Sequence, residues 1–303
     1  MRMLRFKIFI DLDINEIDWK QLSLNGNAIH MLEQNQDKIN WDCLSLNPSA
    51  IDLLEKNLEK VNWENLSINP NGHLLLEKMP EKIEWHGLSF NEKAIDLILK
   101  YPRQINWSFF SMNAHPKAIK LIEQNMNKVD WESLSSNYNA IHLLEKNPDK
   151  IDWSSMSSNK NALHLLEKNI EKINWHKLSA NPNAIYLLKQ YPERINWNML
   201  CLNVNCHEIL ESNLDKINWK LICYNHNAVD FYDKHNIFFG HPPAIYSNPN
   251  IFEYDYDYLK ERIFDLKSEL IKNRFHPKNI KKWKEWKIDW FEDDEDFDFY
   301  ELD

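Results

Sequence analysis

Hydrophobic and polar positions follow one pattern that repeats along most of the chain. Tryptophan recurs every 22 residues, with one interval of 24 where the sequence NAHPKA occupies 113–118. The unit reads approximately I-[DN]-W-x-x-L-S-x-N-P-N-A-I-x-L-L-E-K-N-x-[DE]-K. The ten tryptophans are Trp19, Trp41, Trp63, Trp85, Trp107, Trp131, Trp153, Trp175, Trp197 and Trp219. A constant period of this length is typical of repeat proteins, and it predicts ten units over residues 17–238.

Polar positions within each unit predict where its helices begin. Asp or Asn precedes the tryptophan in nine units and Glu84 in the other, and Asp and Asn are good helix N-caps. Tryptophan and the leucine three residues later then share one face of a short first helix. An asparagine stands six residues after every tryptophan, and in Asn47-Pro48 and Asn181-Pro182 it precedes a proline, as at a helix start. We expect this asparagine to cap the second helix and to form hydrogen bonds between units.

The apolar positions predict how the helices pack. The stretch A-I-x-L-L-E-K-N predicts a second helix of about ten residues that is buried on one side. Its alanine, for example Ala50 or Ala184, allows close approach of a neighbouring helix, and an asparagine such as Asn57 or Asn147 ends the helix. A leucine-rich repeat also fits a 22-residue unit with a recurring asparagine, but the units lack L-x-L strand segments. We therefore predict an all-α fold: an α-solenoid of ten 22-residue helix-pair repeats, with tryptophans in the core between units.

Both ends of the array depart from the repeat. We interpret residues 1–16 as an N-terminal cap and 239–290 as C-terminal capping helices, with GHPPAIYSNPN at 240–250 as a proline-rich turn. Residues 291–303, FEDDEDFDFYELD, are interpreted as an acidic tail. Ten helix pairs, each about 9 Å apart, predict a rod or superhelix about 90 Å long whose curvature the sequence leaves open.

The repeat and the segment after it resemble an uncharacterised repeat family of giant DNA viruses, the nucleocytoplasmic large DNA viruses of protists. In that family similar arrays end in a Y-D-Y helix and an H-P-x-x-I helix. The matching positions here are Tyr254, Asp255 and Tyr256, followed by the sequence from His276 to Ile280. The resemblance covers almost all of residues 17–290. It implies a viral source, and a location in the host cytoplasm or the virion, but no established activity.

Charge and composition exclude several classes of function. The net charge is -10, but the last thirteen residues contain eight acids and no base. The remainder has 38 acids (46 less 8) against 36 bases, so it offers no basic footprint for nucleic acid. Only four glycines occur, which argues against a phosphate-binding loop. We expect no membrane span and no signal peptide, and four cysteines without framework spacing favour a reducing intracellular location.

Residues with reactive side chains mostly occupy positions that recur from unit to unit, called columns below. Such recurrence favours structural roles. The serine four residues after tryptophan recurs in eight units and becomes cysteine in the last two, so packing or capping explains it better than catalysis. One weak zinc-site candidate lies in units nine and ten, where thiols and imidazoles suit tetrahedral zinc. It comprises Cys201, Cys206, His207, Cys223 and His226. We expect no enzyme activity, no cofactor and no small-molecule substrate.

Surface recognition is the remaining function. The first, second and fifth residues after tryptophan vary most between units, and we expect them to line the concave face and bind a protein partner. The candidates are Lys20, Gln21, Glu64, His86, Phe90, Phe109, Met112, His176, Lys177 and Tyr224. Phe90, Phe109 and Met112 are the predicted apolar anchor. The chain is thus interpreted as a non-enzymatic scaffold with an elongated repeat surface. The alternatives are a structural component of a virus particle, an adaptor for a host ubiquitin ligase, and a zinc-dependent activity in units nine and ten.

Overall fold

The computed structural model describes residues 4–6, 17–235 and 243–254. Each of the ten units contributes two α-helices, so the predicted all-α repeat fold is confirmed. The first helices, called the tryptophan helices below, are Trp19–Leu24, Trp41–Leu46, Trp63–Ile68, Trp85–Phe90, Trp107–Phe110, Trp131–Ser136, Trp153–Met156, Trp175–Ser179, Trp197–Leu200 and Trp219–Ile222. The second helices are Ile29–Gln34, Ile51–Glu55, His73–Leu76, Ile95–Lys100, Pro116–Glu123, Ile141–Lys146, Leu163–Leu166, Ile185–Gln190, His207–Glu211 and Ala228–Lys234. The described strands are Leu4–Phe6 and Phe252–Tyr254.

The predicted helix caps are present. Asp18 accepts a hydrogen bond from the Gln21 N–H, and the equivalent residue caps every other tryptophan helix except that of Glu84, which forms no side-chain cap. The second helices have four to eight residues, so the expected ten was wrong. The chain tightens into 3-10 turns instead, and Asn147 Nδ2 donates to the Leu143 carbonyl where the second helix ends. Such turns are usual where an α-helix ends.

Eleven buried asparagines form a continuous ladder of hydrogen bonds. Each side-chain oxygen accepts the N–H two residues later, and each Nδ2 donates to one or two backbone carbonyls of the preceding unit. The members are Asn25, Asn47, Asn69, Asn91, Asn113, Asn137, Asn159, Asn181, Asn203, Asn225 and Asn248. The predicted hydrogen bonding between units is therefore confirmed. Buried amides of this kind remain stable because nearly all their polar groups are paired.

The ladder has no end, because Asn248 continues it and connects back to the first unit. Asn248 Nδ2 donates to the carbonyls of Cys223 and Asn225 in unit ten. Asn25 of unit one in turn donates to the carbonyls of Tyr246 and Asn248, at 3.0 and 2.8 Å. The 3-10 turns Pro243–Ser247 and Pro249–Ile251 thus form a partial eleventh unit that packs on the first tryptophan helix. The described residues of 17–235 and 243–253 therefore form a closed ring, and not the rod or superhelix about 90 Å long that was expected.

A second set of hydrogen bonds explains the serine column. In unit eight the Ser179 hydroxyl donates to the Trp175 carbonyl and accepts the N–H of Asn196, the N-cap of the next unit. Cysteine takes this position in the last two full units: the Cys201 thiol lies at the backbone of Asn218, and the Cys223 thiol donates to the Trp219 carbonyl at 3.3 Å. In units one to nine the column therefore joins a tryptophan helix to the following one, in agreement with the structural role that the repetition predicted.

The tryptophans lie at the rim of the core and not inside it. All ten are partly exposed, so the expectation that they form the core between units was wrong. In several units the lysine at the end of the same unit lies over the indole, as Lys60 does 4.7 Å from the ring centroid of Trp41. Equivalent pairs are Lys82–Trp63, Lys128–Trp107, Lys172–Trp153 and Lys216–Trp197. The indole thus covers the core edge while its face attracts a cation.

The two layers of helices have different surroundings. Consecutive tryptophan helices lie close together, while consecutive second helices are farther apart, so the tryptophan helices line the inner side of the ring. The fully buried core between the layers consists of leucine and alanine columns, such as Leu44, Ala50 and Leu54. Outside, ion pairs and His–Glu hydrogen bonds connect neighbouring second helices. They include Lys78–Glu55, Lys100–Glu77, Lys117–Asp96, His142–Glu123, His164–Glu145, Lys189–Glu208 and Lys234–Glu211.

Most of the predicted caps lie outside the described residues. Residues 7–16 of the N-terminal cap, the predicted helices beyond 254 and the acidic tail at 291–303 belong to this group. The described part of the C-terminal cap, 243–253, continues the repeat as the partial eleventh unit. Within the part of the chain that the structure describes, no helix is both long and apolar enough to cross a membrane.

Candidate protein-binding surface

The side chains that point into the ring come from three positions of each unit. On a helix with 100° between residues, the first, second and fifth positions after tryptophan lie on one side, opposite the buried leucine at the third position and serine at the fourth. We call the set of these positions the inner surface. The residues that the sequence singled out all belong to it, and consecutive units place them side by side.

The three predicted anchor residues and one further residue lie at neighbouring inner positions and are called here the apolar arc: Ile68, Phe90, Phe109 and Met112. Phe90 and Phe109 have 41% and 43% of their surface exposed, and Ile68 has 42%. Gly87, at the second position of unit four, brings its backbone close to Ile68, because a Cβ at this glycine would lie 2.9 Å from Ile68 Cγ1. The arc therefore spans the inner positions of units three to five.

Polar side chains border the apolar arc. The His86 ring packs against Phe109 with 5.8 Å between centroids, and His86 Nε2 lies 3.7 Å from Glu64 Oε1. Met112 is partly buried between its neighbours. A cluster of large apolar groups with a polar edge is the arrangement found at the centre of protein interfaces.

The other predicted residues lie elsewhere on the inner surface. His176 and Lys177 belong to unit eight, and the Lys177 ammonium lies 3.4 Å from Ser155 Oγ. Tyr224 of unit ten has 56% of its surface exposed. Ring closure brings Lys20 and Gln21 of unit one close to unit ten, with only the partial eleventh unit between them. Among the described residues, the Gln21 amide oxygen is buried without a hydrogen-bond partner.

With this geometry established, the chain was compared with known proteins. No family model, curated protein or solved structure matches it. The surface must therefore be interpreted from its own residues.

The described residues do not bring the zinc-site candidates together around one point. Cys201, Cys206 and Cys223 are buried, whereas His207 and His226 are exposed. Cys223 Sγ lies 3.4 Å from the Tyr232 hydroxyl, Cys206 Sγ lies 3.6 Å from the amide of an asparagine in the ladder, and His207 packs against Phe231. Among the described residues no group of three or more His, Cys, Asp or Glu side chains is placed to hold a metal ion.

Burial also makes these thiols poor ligands and poor nucleophiles. Desolvation raises the pKa of Cys201 and of Cys223, and it raises the pKa of Cys206 to about 12. The reactive and metal-binding form is the thiolate, which such sites disfavour. Their chemistry is therefore that of small packing residues, in agreement with the serine and alanine columns that they occupy.

The sequence interpretation missed Ile68, although the signal was available. It stands at the fifth position after Trp63, the same position as Phe90 and Met112 in the next two units. It was overlooked because isoleucine is common throughout the units and does not stand out as an aromatic residue does.

Proposed function

We propose that this chain is a non-enzymatic protein-binding scaffold whose apolar arc is the main contact for a partner. The observation that supports the proposal most is the exposure of three adjacent large apolar side chains, Ile68, Phe90 and Phe109, on the inner surface. Exposed hydrophobic patches on a soluble surface mark interaction sites more often than chance allows. The surface is closed and not elongated, so a partner segment must enter the ring or bind across one opening.

The size of the arc sets the expected affinity effect. Each phenylalanine side chain buries about 200 Å² when fully covered, so about 40% exposure leaves about 80 Å² for a partner. Burying the two together contributes about 4 kcal/mol at 25 cal/mol per Å², which corresponds to about a thousandfold in Kd.

The test replaces the predicted anchor with serine: Phe90→Ser, Phe109→Ser and Met112→Ser. Units six and seven carry serine at these same positions, for example Ser133 and Ser136, so the fold tolerates it there. A matched control, Leu74→Ser with Tyr186→Ser, removes large side chains from second helices on the outside that are more exposed than the anchor, at 51% and 65%. Affinity purification with mass spectrometry should recover a partner with the wild type and the outer variant and lose it with the inner variant. Equal recovery with all three would refute the assignment.

We also propose, from the sequence resemblance alone, that this chain belongs with the giant-virus repeat family. It favours a partner in an infected protist cell, or a place in the particle. Stoichiometric recovery of the chain from purified virions would support the structural role, and its absence there would support the scaffold.

A further inference from the structure

Two rows of inner positions run side by side along units one to six. The first, called here the apolar row, consists of the fifth residues after tryptophan in units one to five: Leu24, Leu46, Ile68, Phe90 and Met112. The second row holds the first residues after tryptophan, and its acids, called here the inner acids, are Asp42, Glu64 and Glu132 of units two, three and six. Within a unit the two rows are four residues apart, about one helical turn or about 6 Å. A ligand on the apolar row therefore lies within reach of the inner acids.

The inner acids have no lysine or arginine partner among the described residues. Asp42 Oδ1 accepts a hydrogen bond from the neutral Asn62 amide at 2.7 Å, and Glu64 Oε1 lies 3.7 Å from His86 Nε2. All three inner acids are exposed, and units two to seven carry no lysine or arginine at an inner position. These carboxylates are therefore available to the cations of a ligand.

Acids on the outer side of the same units are already paired. Glu55, Glu77 and Asp96 each lie within ion-pair distance of a lysine of the following unit. The outer arrangement thus balances its own charge, whereas the inner acids are balanced only by a molecule that enters the ring.

The two rows together select one kind of ligand. Ile68 and Phe90 of the apolar row are exposed and favour contact with other apolar side chains. An acidic ligand would meet like charge from the inner acids, whereas lysine or arginine beside apolar residues suits both rows. Charge complementarity of this kind determines which partner binds, and how fast, more than how tightly.

We propose that the partner segment bound at the apolar arc is amphipathic and basic, with apolar side chains on the apolar row and lysines or arginines on the inner acids. The segment lies across the tryptophan helices, along the circumference of the ring, because both rows run in that direction. This inference rests on the proposed function, since it names the chemistry of the partner for the same surface.

Fluorescence anisotropy of two labelled peptides tests the proposal on the full chain. One peptide has leucine and phenylalanine on one side of a helix and lysine on the adjacent side, and the other has glutamate in place of each lysine. The lysine peptide should bind the wild type, and high salt should weaken its binding. Asp42→Asn, Glu64→Gln and Glu132→Gln together should raise its Kd about tenfold, because three exposed ion pairs are lost.

Two control variants separate the inner surface from the rest of the chain. Glu55→Gln, Glu77→Gln and Asp96→Asn together remove the same number of charges from the outer side and should leave the Kd unchanged. The serine variant of the anchor keeps every charge of the chain and should abolish binding, because exposed ion pairs alone are weak. Urea unfolding checks that each variant is folded.

Any other result would overturn the proposal. Equal binding of the glutamate peptide, or equal weakening by the inner and outer acid variants, would show that the inner acids do not select the ligand. Tight binding of the lysine peptide to the anchor variant would place the contact elsewhere on the chain, and no binding to the wild type would rule out a basic partner. A dimer of the wild type that the anchor variant does not form would assign the arc to a second copy of the chain. The scaffold proposal is decided separately, by recovery of a partner with the wild type and its loss with the anchor variant.

Discussion

The seam between the eleventh and first units offers the strictest test of the closed ring. Asn25 is 1% exposed, and its side chain takes part in three hydrogen bonds: it accepts the Asn27 N–H at 3.0 Å and donates to the carbonyls of Tyr246 and Asn248. Asn25→Ala leaves these three groups without a partner. Each buried unsatisfied group costs about 1–3 kcal/mol, so the free energy of unfolding should fall by about 3 kcal/mol or more.

Two further variants calibrate the measurement. Asn181→Ala breaks the equivalent three bonds far from the seam, and it should destabilise the ring by the same amount. Asn27→Ala breaks one exposed bond to the Pro249 carbonyl, which is worth about 0.5–1 kcal/mol. Urea unfolding followed by tryptophan fluorescence should show midpoint shifts of about 1 M for the first two variants, taking m as about 3 kcal/mol/M.

The open array gives the opposite prediction for the seam. At a free end the Asn25 amide would face water, and its replacement would cost little. If Asn25→Ala matches Asn27→Ala while Asn181→Ala shifts the midpoint by about 1 M, the ring is open in solution and the reasoning from the ladder is refuted.

Two further predictions concern packing and cysteine reactivity. Gly72→Ala should destabilise the fold by about 2 kcal/mol or more in urea unfolding, because the added Cβ would lie 1.9 Å from the Leu66 carbonyl oxygen. Gly26→Ala, where the nearest atom is a serine hydroxyl at 2.8 Å, should change stability by less than about 0.5 kcal/mol. Alkylation of the native protein at pH 8 should modify Cys43 first, since it is partly exposed. The three buried cysteines should stay unmodified by intact mass, because their raised pKa values keep them as thiols; rapid modification of Cys206 would contradict this.

The repeat fold could be predicted because local rules determine it. Residues such as Asn40 before each tryptophan helix, Ser45 on it and Asn47 after it recur with constant spacing, and each forms the hydrogen bonds that its type favours. The position of the tryptophans was misjudged for a physical reason. A large apolar residue that recurs was assumed to be central, but an indole at the first helical position reaches the core only with part of its ring.

Ring closure was harder to predict from the same sequence. Asn248-Pro249-Asn250 repeats the N-P-N pattern, but no tryptophan stands six residues earlier, where position 242 is a proline. The eleventh unit therefore does not appear in a search based on tryptophan spacing. Closure also depends on a small rotation of each unit relative to the one before it. The packing between adjacent units sets this angle, and the sequence of a single unit does not reveal it. The inner positions were predicted from their variability, but which of them become neighbours across the closure could only be seen in the ring.

The closed ladder fixes how many units this protein has. Eleven steps that complete a circle require about 33° of rotation each, and every unit must keep close to that angle. Open arrays lengthen by duplication of a unit without disturbing their neighbours. Here an added or deleted copy of 22 residues would separate Asn25 from Asn248 and expose two edges at once. The protein can therefore vary by substitution on its inner surface far more easily than by changing its length.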